Sequence, residues 1–248
     1  MESGTLKGKT ALVTGAAKRI GAAIAAALSE RGTHVVIHYN RAEAEALQLA
    51  KDIMDRGGNA STVQGGLGDA HDVERLMETA IQACGKVDIL VNNASIFNEM
   101  EFMGSTEAAV RENMMINAVA PMLLAQRFAA QGMSGAIINM IDTMVMDYDR
   151  KHVPYHISKK TLHALTKMMA VEFAPTIRVN AVAPGLILPP EGQDEAYLAR
   201  LASSNPLNRY GNTGDIVRAV LYLLESDFVT GQTLYVDGGR HLRGHMYE

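Results

Sequence analysis

Cysteine is almost missing: Cys84 is the single one in 248 residues, so no disulfide within the chain and no cysteine-based zinc site can form. Also lacking is any apolar run near the roughly 18 residues that a membrane-spanning helix requires. The opening "MESGTLKGKT" is polar and has no apolar stretch of the secretory kind, so the cytoplasm is the expected location. There is no surplus of positive charge either. A net charge of −4 speaks against a nucleic-acid-binding surface. Low-complexity linkers and internal repeats are absent. What remains, 48% hydrophobic and 20% charged residues, is an ordinary globular composition with ample material for a core.

Short apolar runs alternate with longer amphipathic ones. The expected strands are "KTALVT" (9–14), "HVVIHY" (34–39), "ASTVQG" (60–65), "VDILVN" (87–92), "GAIINMI" (135–141), "IRVNAVA" (177–183) and "TLYVD" (233–237). Stretches such as "EALQLAKDIM" (45–54) and "VERLMETAIQA" (73–83) carry the three-and-four spacing of helices. This alternation predicts one α/β domain, a doubly wound parallel sheet of about seven strands with helices on both faces. The runs are β-branched and nearly continuous, as strands covered on both faces are. Residues 185–212 break the rhythm with prolines, glycines and a short helical patch, and are expected to form a lid over the carboxyl edge of the sheet.

"TGAAKRIG" (14–21) follows the first strand and opens a helix. Gly15 and Gly21 suit a tight turn, yet Lys18 and Arg19 put two cations at the positive end of a helix dipole. Each is unfavourable there by about 0.3–1 kcal/mol. A phosphate held by the helix amides converts that penalty into attraction, so the turn reads as built around an anion. The end of the second strand, "HYNRAEAEA", has no acid before Glu43 but offers His38 and Arg41. A carboxylate there would bind the ribose hydroxyls of NAD, whereas a cation suits a 2′-phosphate. NADPH is therefore the expected cofactor, with Arg41 as a planar fork for the phosphate.

"YHISK" sets Tyr155 and Lys159 four apart, on one face of a helix. An ammonium near a phenol favours the phenolate and makes tyrosine a usable proton donor. With "NNAS" (92–95), "NAVAP" (117–121), "NAVAPG" (180–185) and "VDGG" (236–239), the ordered set resembles the short-chain dehydrogenase/reductase family along essentially the whole chain. The resemblance implies a Rossmann fold and a homotetramer. It makes Asn117, Tyr155 and Lys159 catalytic: Asn117 anchors a water chain, Tyr155 donates the proton, and Lys159 holds the nicotinamide ribose while lowering the tyrosine pKa. It also implies a cofactor site made of Gly15, Lys18, Arg19, Ile20, Gly21, His38, Tyr39, Asn40, Arg41, Leu67, Asn93, Ala94, Ser95, Tyr155, Lys159, Pro184, Gly185 and Leu186.

Two departures narrow the chemistry. Most members carry glycine where Arg19 stands, and serine thirteen residues ahead of the tyrosine, where this chain has Asp142. An ionised carboxyl cannot donate a hydrogen bond to a carbonyl, so a simple ketone is not the expected substrate. A protonated or water-linked carboxyl could instead bring a proton to a ring nitrogen. These features, with "HYNR" and "NNASIF", resemble the pteridine reductase branch, and "FVTGQ…DGGRHLR" is similar to bacterial dihydromonapterin reductases. The resemblance implies a small-molecule pterin substrate held by Arg19, Ser95, Phe97, Asp142 and Tyr155, with Phe97 stacked on the pterin. In place of the branch's aspartate near the adenine this chain has Gly66, so either Asp69 serves in a shifted register or the contacts are to backbone alone. The competing readings are a ketone or 3-oxoacyl-carrier-protein reductase, and a cofactor-sensing protein without turnover. "GRHLRGH" near the end lacks supporting metal ligands; no metal site is expected, and these are taken as tail residues that reach a neighbouring subunit.

Overall fold

The computed structural model describes residues 5–147, 150–190 and 192–245. Every expected strand forms: β1 Thr10–Val13, β2 His34–Tyr39, β3 Asn59–Gln64, β4 Ile89–Asn92, β5 Gly135–Met140, β6 Ile177–Pro184 and β7 Thr233–Val236. They make one seven-stranded sheet in the order β3-β2-β1-β4-β5-β6-β7, all pairs parallel. The helices are α1 Arg19–Glu30, α2 Glu43–Asp55, α3 Ala70–Cys84, α4 Glu107–Met114, α5 Ala120–Ala129, α6 Val153–Glu172, α7 Glu195–Leu201 and α8 Thr213–Glu225. None of the described helices is long and apolar enough to cross a membrane.

The two-residue period of a strand explains why both faces are apolar. Ala11, Val13, Val35, Ile37, Ile89 and Val91 enter a core with Ile24 and Leu28 of α1, Ile53 of α2 and Ile216 and Leu223 of α8. The alternate residues Leu12, Val36 and Leu90 enter a second core with Leu76 and Met77 of α3, Leu124 and Phe128 of α5 and Met169 of α6. The strand order reverses between β1 and β4, which opens a crevice at the carboxyl ends of these two strands. In open parallel sheets that crevice is where ligands sit.

Two segments differ from the expected outline, and a third carries the short helix expected of it. The "NAVAP" region is not a plain helix: Met115–Val119 is a π-helical turn joining α4 to α5, and such turns recur at functional sites because they re-aim one side chain. Residues 185–212 hold α7, capped by Asp194, whose Oδ1 accepts the Ala196 N–H at 3.1 Å. The "GRHLRGH" segment is a 3-10 turn, Arg240–His245, folded back on this same chain through contacts with the 3-10 turn Thr143–Met146.

Candidate active site

The phosphate turn is built by close approach. Gly15 has φ +61°, and a Cβ there would lie 2.9 Å from the Ala94 Cα; a Cβ on Gly21 would lie 2.4 Å from the Gly15 carbonyl oxygen. Only glycine fits either place. Thr14, which sequence reasoning passed over, braces the turn from below. Its hydroxyl oxygen accepts the backbone N–H groups of Asn93 at 2.9 Å and Ala94 at 3.0 Å. Asn93 Nδ2 in return donates to the carbonyls of Thr14 and Gly15 at 2.9 and 3.1 Å. Asn93 and Ala94 thus shape the turn through these bonds.

The two cations at the helix start are handled differently. Lys18 Nζ pairs with Glu45 Oε1 at 2.5 Å, so α2 supplies part of the compensation expected from an anion. Arg19 has φ +56°, a left-handed conformation that costs a non-glycine residue about 1–2 kcal/mol. Its guanidinium reaches over to donate to the Pro189 carbonyl at 2.7 Å, tying the turn to the segment after β6. Ile20 packs, partly buried, against the core beneath α1.

His38 has a role that the sequence did not reveal. It was grouped with Arg41 as a phosphate contact, but it is buried, at 1% exposure. Its Nδ1 accepts the Gly15 N–H at 3.0 Å, and its Nε2 lies 3.1 Å from the Gly65 carbonyl, to which it donates. The accepted bond fixes the tautomer with the proton on Nε2. Burial lowers its pKa to about 4, so the ring is neutral and supports the turn from inside. Tyr39 is buried too, its hydroxyl donating to Glu43 at 3.3 Å. Asn40 and Arg41 are exposed at the carboxyl end of β2, where Arg41 forms no ion pair among the described residues. Leu67 packs its side chain into the core. Asp69 caps α3, its Oδ1 accepting from His71 N–H at 2.9 Å and Asp72 N–H at 3.3 Å. The carboxylate nearest Gly66 is Asp72, whose Oδ2 lies 3.5 Å from where a Cβ would stand.

At the other side of the crevice α6 presents Tyr155, Ser158 and Lys159, all buried. Asp142, at the end of β5, accepts the Tyr155 hydroxyl on Oδ2 at 2.9 Å and the Met144 N–H on Oδ1 at 2.7 Å. Burial first, and then the neighbouring Asp142 carboxylate, push the Tyr155 phenol well above its usual range. That reverses the expected downward shift. Lys159 Nζ is 5.7 Å from the Tyr155 ring centre and donates to the Met140 carbonyl at 2.7 Å. Burial lowers the Lys159 pKa to about 8, against the pull of Asp142. The two shifts share their largest cause: a dry pocket favours neutral phenol and neutral amine alike.

Asn117, projected by the π-helical turn and fully buried, is a brace. Its Nδ2 donates to Ile96 O and Ser158 Oγ, both at 3.0 Å. Its Oδ1 accepts Ile96 N–H at 2.9 Å and Ser95 Oγ–H at 3.1 Å. This ties the loop after β4 to α6 beside Tyr155 and Lys159. Phe97, on that loop, is 48% exposed and is therefore no core residue. It stacks on His152, ring centres 4.0 Å apart and 13° from parallel, and meets Tyr155 edge-on at 4.6 Å. Phe97, Asp142, His152, Tyr155, Pro184, Gly185 and Leu186 line one cleft of about 250 Å³, together with Leu188 and Tyr197 from the segment after β6 and Arg240 from the C-terminal turn.

Residues 15–241 match the family model described as enoyl-(acyl carrier protein) reductase. The chain is a short-chain dehydrogenase/reductase. Among curated relatives it is 35% identical over 244 residues to an uncharacterized oxidoreductase of Methylorubrum extorquens, covering 94% of this chain and 98% of that one. It is 31% identical over 248 residues to a 3-oxoacyl-(acyl-carrier-protein) reductase of Staphylococcus aureus, with 94% and 98% covered. Among solved structures, the FolM alternative dihydrofolate reductase 1 of Brucella canis, complexed with NADP, superposes with a TM-score of 0.92 at 36% identity, covering 98% of this chain and 97% of that one.

Within this reductase, the residues at the crevice fit a dinucleotide that carries a 2′-phosphate. Lys18 and Arg19 stand at the start of α1 beside the glycine turn, and the exposed end of β2 carries Arg41 and no acid before Glu43. Gly15, Gly21, Arg19, Arg41, Tyr155 and Lys159 are the residues that would hold it. Sequence reasoning missed Thr14, Thr143, His152, Ser158 and Arg240. For Ser158 the position three after Tyr155 was a usable signal. For the others there was none, because their neighbours are remote in the chain.

Proposed function

We propose that this reductase reduces a dihydropterin, of the dihydromonapterin, dihydrobiopterin or dihydrofolate type, to its tetrahydro form with NADPH. The observation that carries the reading is the Tyr155–Asp142 hydrogen bond of 2.9 Å at the wall of the cleft. When bound, NADPH supplies a hydride, which goes to the carbon of a ring C=N bond, C6 of a 7,8-dihydropterin. The adjoining nitrogen then needs one proton, and N–H and C–H bonds replace the C=N π bond. The raised phenol keeps that proton on Tyr155 until the substrate nitrogen becomes basic. Asp142, joined to it, relays the proton in concert with Tyr155, whose phenolate is then reprotonated from water by way of the Lys159 ammonium. Asn117 and Ser158 hold α6 and the loop after β4 at a fixed separation, and Phe97 offers a flat apolar face for a flat ring. Four such chains form the working particle, as the family resemblance implies.

Carbonyl reduction is the second reading, favoured by the 3-oxoacyl-(acyl-carrier-protein) reductase among the relatives. Against it, the hydroxyl next to Asp142 belongs to Thr143 and already donates to the buried Asp237 carboxylate, so it is not free to polarise a carbonyl. NADPH oxidation measured in parallel with dihydromonapterin, dihydrobiopterin, dihydrofolate and a 3-oxoacyl thioester separates the two. Turnover of the thioester with none of the pterins refutes the pterin reading.

A further inference from the structure

Arg240 stands in the same cleft as Asp142, Tyr155 and Phe97, on a mount of unusual rigidity. The Asp237 carboxylate, its side chain only 2% exposed, collects four donors. Gly239 N–H donates to Oδ1 at 2.9 Å; His241 N–H and His241 Nδ1 donate to Oδ2 at 2.8 and 2.9 Å; the Thr143 hydroxyl donates to the same oxygen. The Arg240 N–H itself donates to the Asp237 carbonyl at 3.2 Å. Both neighbours of Arg240 are thus pinned to one buried carboxylate, which also pins Thr143, the residue after Asp142. The guanidinium is thereby rooted in the same framework as the proton-transferring carboxyl. His241 adds a ring stacked on Tyr235 with centres 4.1 Å apart, which restrains the turn further.

The charge of Arg240 meets no carboxylate partner among the described residues. Both oxygens of Asp142 are already engaged by Tyr155 and Met144. The same cleft includes the apolar Leu188, Pro190, Leu198 and Leu201 beside its polar groups. A partly buried cation is unfavourable until a counter-charge arrives.

We propose that Arg240 is a specificity-determining residue that pairs with a carboxylate on the substituent of the substrate, opposite the ring end handled by Asp142. This rests on the pterin reading above and narrows it: the favoured substrate is a dihydropterin whose side chain carries an acid, the dihydrofolate class, over one with a neutral side chain. Guanidinium and carboxylate match as forked donors and acceptors, which makes the pair directional as well as charged.

The test is steady-state kinetics of the full chain and of Arg240→Gln and Arg240→Lys, with dihydrofolate and dihydrobiopterin at saturating NADPH. Arg240→Gln is expected to lower the ratio of kcat/KM for dihydrofolate to that for dihydrobiopterin about tenfold, through KM, with Arg240→Lys in between. Wild-type KM for dihydrofolate is expected to rise with salt while that for dihydrobiopterin stays level, a readout that needs no variant to fold. An unchanged ratio, an equal loss on both substrates, or a raised KM for NADPH overturns the assignment of Arg240 and leaves the pterin reading standing. Wild-type enzyme inert toward both pterins overturns the pterin reading and this inference with it.

Discussion

Asp142→Ser is the most discriminating single change. Asp142 does two jobs: Oδ1 caps the 3-10 turn Thr143–Met146 by accepting the Met144 N–H, and Oδ2 accepts the Tyr155 hydroxyl. Serine caps as well as aspartate, so the turn and the fold survive. What disappears is the carboxyl group. Tyr155 then loses two of the three causes that raise its pKa, and Lys159 loses the one charge that opposes its downward shift from burial. The proton path to a ring nitrogen is broken at its last member. General acid catalysis contributes about 10²–10⁴-fold, or roughly 3–5 kcal/mol of barrier. The expected result is NADPH affinity unchanged by fluorescence titration, dihydropterin kcat down by about 100-fold or more, and turnover of simple ketones gained from the new hydroxyl. Full pterin activity in the serine variant would refute the proton role of Asp142.

Replacing Arg19 by Gly removes the left-handed strain at φ +56° but also the bond to Pro189. With glycine's own entropic cost of about 0.5–1 kcal/mol, the unfolding free energy is expected to stay level or rise by up to about 1 kcal/mol, while KM for NADPH rises; a marked loss of stability contradicts this. His38 gives a pH test. Its folded pKa, about 4 against 6.5 for an ordinary imidazole, means that the unfolded chain binds the extra proton first as pH falls. The stability tied to this ring is complete above pH 6.5 and is lost between there and pH 4, to an extent of about 3 kcal/mol. Nitrogen chemical shifts of the ring that show a charged imidazole at pH 6 in the folded protein would disprove it. Sedimentation equilibrium should return about four times the 26.8 kDa chain mass, and a monomer at micromolar concentration refutes the tetramer.

Much of this molecule was legible before folding. Strands such as "HVVIHY" and "GAIINMI" announce themselves because a sheet covered on both faces needs unbroken β-branched runs, and the period of α2 and α3 is local to each helix. Gly15, Gly21, Tyr155 and Lys159 were readable for a similar reason: each belongs to a short motif whose geometry is set within a few residues. The presence of Asp142 in place of a hydroxyl, and of Arg41 in place of an acid, was likewise plain from single positions.

What the chain's order could not disclose is which groups answer one another across it. His38 looked like a cation beside Arg41, but β2 buries it beneath Gly15, where desolvation keeps it neutral. Lys18 finds Glu45, and Arg19 finds Pro189, only because α2 and the segment after β6 come back to the glycine turn. The direction of the Tyr155 shift depended on burial and on the Asp142 carboxylate beside it, which spacing does not encode. Arg240, in what looked like a tail, reaches the cleft because Asp237 folds the turn onto Thr143. Periodicity and short motifs are properties of neighbours in sequence; charge compensation and desolvation are properties of neighbours in space, and these the tertiary structure alone decides.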